Sequence, residues 1–108
     1  MKRGDIVLVA LPGDFGKPRP ALVVQTDLVP LAYRTVTLLP ITGDIESAPE
    51  FRITLEPSAR NGLRKVSQVM VDRTMTHLRG KLRDVIGAVD EETLTRVSRA
   101  LALWLGLL

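Results

Sequence analysis

Short β-branched apolar runs, punctuated by glycine and proline, fill the first two thirds of the chain, and a helical stripe takes over at its end. Asp5 to Leu11 is a nearly continuous apolar run stopped by Pro12-Gly13, the pattern of a buried strand. Pro20 to Thr26 repeats it as a second strand. Pro30 breaks the pattern across Asp27 to Ala32, Thr35 to Thr42 resumes it as a third, and Gly43 marks a chain reversal. A polar loop with Pro49 follows from Asp44 to Glu50. Phe51 to Leu55 then alternates as a fourth strand, and the Asn61-Gly62 turn feeds a fifth, Leu63 to Val71. Asp72 to Val89 supports competing readings: Thr74-Met75-Thr76 favours extended backbone, Gly80 interrupts any helix, and Val85 to Val89 has the composition of another short strand. From Asp90 the period changes. Asp90 suits an N-cap, Glu91 and Glu92 fall in the first turn, and Leu94, Val97, Leu101, Trp104, Leu105 and Leu108 follow near-helical spacing. The pattern predicts one domain over residues 1–108 with a mainly β fold. It is a small, strongly curved antiparallel barrel with a C-terminal amphipathic helix, the loops after strands one and three lying at one end.

Composition narrows the chemistry. With 108 residues and an apolar-rich sequence, dimerisation would help to bury surface, and a homodimer is expected. The absence of cysteine excludes disulfides, thiolate nucleophiles and cysteine-ligated zinc. His77 is the single histidine and no acidic cluster has ligand spacing, so neither a metal nor a cofactor is expected. The apolar run before Pro12 is too short for a membrane span or a signal core, which points to a soluble, cytoplasmic protein with no membrane partner. Net charge is only +3 but unevenly placed: Arg60, Arg64, Lys65, Arg73, Arg79, Lys81 and Arg83 face a single Asp72 in that stretch, whereas Asp44, Glu46, Glu50 and Glu56 make the middle acidic. This asymmetry fits an anionic partner as well as it fits a solvated surface with scattered arginines.

The stretch Leu11 to Gln25 carries the sharpest chemical signal. Gly13 and Gly16 allow a tight loop, while Pro18 and Pro20 push the residues before them, Lys17 and Arg19, toward extended backbone on one face. A guanidinium fixed at the mouth of a buried strand can clamp a phosphate; the plainer reading is that both cations keep the strand's start soluble. The barrel topology brings Arg19 to Thr42, whose hydroxyl can donate to a non-bridging oxygen or accept from an attacking group. Ser67 and Gln68 either read a base edge or are outward positions of a strand. His77 in a basic segment is more often a surface or packing residue than an acid–base catalyst. Phe15 and Tyr33 are the candidates for exposed stacking, with Phe51 and Trp104 assigned to the core.

Gly4-Asp5-Ile6-Val7, Gly16-Lys17-Pro18-Arg19-Pro20-Ala21-Leu22-Val23-Val24-Gln25, Pro40-Ile41-Thr42, Ser67-Gln68-Val69 and Asp90-Glu91-Glu92-Thr93-Leu94 together resemble the MazF/PemK family of toxin endoribonucleases, nearly end to end. The resemblance implies an SH3-like barrel related to the toxin CcdB, a homodimer, metal-independent cleavage of single-stranded RNA at short sequences, and neutralisation by a cognate antitoxin. It implies catalytic roles for Arg19 and Thr42; beside these, Gly16, Lys17, Lys65, Ser67 and Gln68 are the candidate substrate-binding residues. The first loop, Gly13-Asp14-Phe15-Gly16, is shorter than in many members, and Asp14 is open to two readings, a stand-in acid or a local backbone hydrogen-bonder. The competing class is a non-catalytic module, either a CcdB-like gyrase poison or an RNA-binding barrel.

Overall fold

Two β-branched runs pair first in the computed structural model. Strand β1 (Asp5–Ala10) lies antiparallel to β2 (Pro18–Val23), with Ile6 opposite Leu22 and Val9 opposite Arg19. The described residues are 1–13, 15–48, 50–82 and 84–108; Asp14, Pro49 and Arg83, named above for the first loop, the polar loop and the basic stretch, lie outside them. Strand β3 (Thr35–Thr42) pairs with β2 along one edge. Its other edge is shared, Thr35–Leu38 with β6 (Met75–Leu78) and Ile41–Thr42 with β5 (Ser67–Met70). Strand β4 (Arg52–Leu55) pairs with β5, and β7 (Val85–Ala88) closes on β1. All pairings are antiparallel, in the order β4-β5-β3-β2-β1-β7 with β6 branching from β3. The mainly β half-barrel with one C-terminal helix, α1 (Glu91–Trp104), agrees with the sequence pattern.

The continuous apolar runs are explained by a sheet buried on both faces. Ile6, Leu22, Leu39, Ile41, Ile53, Leu55 and Val69 pack on one side with Val97 and Ala100 of α1. Val7, Val9, Ala21, Val23, Val36 and Leu38 form a second cluster on the other, closed by Met75, Leu82 and Leu11. Asp90 caps α1 by accepting from the Thr93 N–H at 2.7 Å, and that hydrogen bond holds the Asp90 carboxyl below its ordinary range. The helix ends in a Schellman turn: Gly106 N–H donates to the Leu103 carbonyl and Leu107 N–H to the Ala102 carbonyl.

Several boundaries differ from the sequence reading. The second strand starts and ends two and three residues earlier than expected, because Pro18 already lies opposite Ala10, while beyond Val23 the Gln25 side chain takes over, accepting from the Thr37 N–H at 3.1 Å. The fifth strand is half the expected length: Leu63 to Val66 is loop, not strand, because it is drawn out of the sheet by the docking described below. The ambiguous Asp72 to Val89 segment resolves as β6, a 3₁₀ turn over Arg79–Lys81, and β7.

Candidate active site

The β2–β3 register brings the two principal candidates together. Ala21 lies opposite Pro40 and Leu22 opposite Leu39; continued along the strands, the same register sets Arg19 across from Thr42. Both border a cavity of about 540 Å³ at the open end of the sheet. Lys17, Pro18 and Pro20 line it from β2, Gly43 and Asp44 from the turn after β3, and Leu63, Arg64, Lys65 and Ser67 from the segment leading into β5. Leu8, Ile41 and Ile86 form an apolar floor. Among the described residues, four cations, Lys17, Arg19, Arg64 and Lys65, border it with one carboxylate, Asp44, which suits a polyanion and strengthens attraction over a low-dielectric floor. The Thr42 hydroxyl is oriented by the turn it starts: its Oγ1 accepts from the Asp44 N–H at 3.1 Å, leaving its own hydrogen to donate outward.

The cationic wall is built by a loop that only close backbone approach allows. Asn61 is buried; its Oδ1 accepts from the Ser58 and Leu63 N–H groups, both at 3.0 Å, and its Nδ2 donates to the Glu56 carbonyl at 2.8 Å. Gly62 sits at φ +70°, and a Cβ there would fall 2.2 Å from the Ile86 carbonyl oxygen; one on Gly87 would fall 2.4 Å from the Asn61 carbonyl carbon. The loop therefore lies flat on β7, where the Ala88 N–H donates to the Arg60 carbonyl at 3.0 Å, and delivers Leu63 to Lys65 to the cavity.

Other expected residues fall elsewhere. Gln68, read as a possible base contact, is 3% exposed and occupied: Oε1 accepts from the Glu46 N–H at 2.9 Å, and Nε2 donates to the Glu46 carbonyl at 2.9 Å and to Thr54 Oγ1 at 3.2 Å. It pins the loop between β3 and β4. Ser67 reaches the cavity rim but is buried, with Oγ donating to the Lys65 carbonyl at 2.9 Å. Gly16 is exposed in the first loop at φ +79°, outside the cavity lining. His77 lies on β6 opposite Val36, away from the lining residues. Phe15 and Tyr33 are exposed as expected, but Trp104, assigned to the core, is half exposed and meets Phe51 edge-to-face at 5.2 Å, because it sits in the last turn of α1, beyond the core contacts of Val97 and Ala100.

Sequence reasoning missed an ion cluster beneath the same loop. Arg52 is buried and donates through Nε to Asp72 Oδ1 at 2.9 Å and through Nη2 to Oδ2 at 3.3 Å, while Nη1 lies 3.6 Å from Glu46 Oε2. The hydrogen bond from Arg52 holds the Asp72 carboxyl below its ordinary range, and Asp72 in turn raises the guanidinium's proton affinity. The available signal was Asp72 itself, the lone acid of the basic stretch.

Comparison with known proteins identifies the family. The family model described as PemK-like, MazF-like toxin of type II toxin-antitoxin system matches residues 2–105. The chain is 40% identical to the probable endoribonuclease MazF of Mycolicibacterium smegmatis over 99% of this chain and 98% of that protein. It is 28% identical to the endoribonuclease EndoA of Bacillus subtilis over 100% and 97%. Among solved structures, a mycobacterial endoribonuclease in complex with its cognate antitoxin superposes with a TM-score of 0.83 at 24% identity, covering 100% of this chain and 97% of that one. The Mycobacterium tuberculosis toxin MazF-mt6 shares the fold at a TM-score of 0.81 and 24% identity, covering 94% and 96%. With the family model matched over residues 2–105 and a relative 40% identical over nearly its whole length, the chain belongs to the PemK-like, MazF-like family of toxins of type II toxin-antitoxin systems.

Proposed function

We propose that this MazF-like endoribonuclease toxin cuts single-stranded RNA at short sequences without a metal, and that Arg19 and Thr42 are its catalytic residues. The observation that carries the reading is the meeting of these two residues at one cation-lined cavity. The RNA 2′-hydroxyl attacks the adjacent phosphorus: the 2′-O–P bond forms, the P–O5′ bond breaks, and the proton lost by the nucleophile is matched by one gained at O5′. Arg19, on backbone preset by Pro18 and Pro20, grips the non-bridging oxygens as charge develops, and the Thr42 hydroxyl donates to the same phosphate. Lys17 and Lys65 take flanking phosphates, Ser67 lies at the rim, and Gly16, in the exposed first loop beside Lys17, contacts the RNA backbone. Products are a 2′,3′-cyclic phosphate and a 5′-hydroxyl.

The test is incubation of purified protein with a long unstructured RNA in chelator. A discrete ladder with 5′-hydroxyl ends is expected, and Arg19→Ala should lower the rate about 10²- to 10³-fold while RNA affinity falls much less. Intact RNA would instead favour a gyrase poison or a binding barrel; 5′-phosphate ends or loss of cleavage in chelator would overturn the mechanism.

The partners follow from the same reading. A homodimer is proposed from the apolar C-terminal end, where Leu103, Trp104, Leu105, Leu107 and Leu108 are exposed; light scattering at micromolar concentration checks it. A cognate antitoxin with an acidic segment that orders on binding would compete with RNA for the cavity's cations, and its site of action is the cytoplasm. No helix among the described residues is long and apolar enough to cross a membrane.

A further inference from the structure

Gly43 has no backbone reason to be glycine, because its φ lies outside the left-handed region that side chains avoid. The space around it gives the reason. A Cβ on Gly43 would fall 2.2 Å from Lys65 Cε and 2.5 Å from Lys65 Nζ, so the lysine stem lies directly over the peptide between Thr42 and Asp44. The lysine's own backbone is fixed on both sides. Ser67 Oγ donates to its carbonyl at 2.9 Å, and the preceding loop is docked on β7 through Gly62. Gly43 and Lys65 both border the cavity that holds Arg19 and Thr42.

We propose that Gly43 is a positioning residue: lacking a Cβ, it seats the Lys65 ammonium over the Thr42 turn, where it takes the RNA phosphate next to the one gripped by Arg19 and Thr42. This rests on the endoribonuclease reading. A lysine already laid along one path gives up less rotamer freedom on binding than one waving in solvent, so moving it aside weakens binding although no charge is removed. Chemistry at the scissile phosphate is untouched, so the effect falls on KM and not on kcat.

The experiment compares wild type, Lys65→Ala, Gly43→Ala and the double variant. Binding of a 2′-O-methyl RNA oligonucleotide, which lacks the nucleophile, is measured against salt, and kcat and KM are measured on cleavable RNA. Each single variant should bind about two- to fivefold more weakly, as for one exposed ion pair. Each should also lose about 0.7 from the slope of log affinity against log salt. The double variant should match Lys65→Ala, and kcat should stay near wild type. Wild-type affinity and slope in Gly43→Ala overturn the proposal, as do independent effects in the double variant or a fall in kcat at unchanged KM. If Gly43→Ala fails to fold, the double variant, with no lysine to collide, must fold and bind like Lys65→Ala; its failure also overturns the proposal. Wild type that binds the methylated RNA but never cuts the cleavable one refutes the activity and leaves the seating of Lys65 standing.

Discussion

Replacing Asp72 by asparagine keeps the side chain's size and removes the charge that faces Arg52 Nε at 2.9 Å and Nη2 at 3.3 Å. Arg52 is only 7% exposed, so water cannot take over. The remaining counter-charge, Glu46 Oε2 at 3.6 Å from Nη1, belongs to a side chain that is 63% exposed. Breaking a fully buried pair from one side costs about 3–5 kcal/mol. The Asp72 side chain is 25% exposed, which puts the expected loss at the lower end, about 3 kcal/mol. In a domain of this size that lowers Tm by about 12 °C or more. Arg52→Met/Asp72→Asn removes both charges and should recover most of the loss, because no buried charge is left alone. The acid limb carries a second signature. Asp72 titrates lower folded than unfolded, so its contribution is full above the unfolded value of about 3.9 and disappears as pH falls through the lower folded one. Asp72→Asn should flatten the stability curve there. Thermal and urea melts followed by circular dichroism, at neutral pH and down the acid limb, decide it. A loss below about 1 kcal/mol, or an acid limb as steep as wild type, would refute the reasoning.

Two further substitutions separate structural from recognition roles. Gln68→Ala releases both backbone groups of Glu46 and should cost about 1–3 kcal/mol in urea melts while leaving the cleaved RNA sequence unchanged; a shifted cleavage sequence would return Gln68 to base reading. Gly62→Ala places a Cβ 2.2 Å from the Ile86 carbonyl oxygen at φ +70°, so it should destabilise by about 2 kcal/mol or more and cut cleavage by shifting Leu63 to Lys65; wild-type melts would show that the loop has room to lift off β7.

Local signals determined much of this protein. The β-branched runs at Asp5, Pro20 and Thr35 and the capped stripe from Asp90 identify their elements because period, punctuation and capping act over a few residues. The prolines around Arg19 and the Pro40-Ile41-Thr42 strand end similarly marked the pair that the β2–β3 register brings to one cavity. Tertiary structure decided the rest. Leu63 to Val66 has strand composition, yet it leaves the sheet because Gly62 and Gly87 allow backbone to meet backbone at β7. Arg52 is buried in an alternating strand because Asp72, far along the chain, neutralises it. Gln68 turned away from solvent to hold Glu46, and Lys65 lay down over Gly43. Each of these depends on a partner distant in sequence, and periodicity within a segment carries no information about which distant group will arrive opposite it.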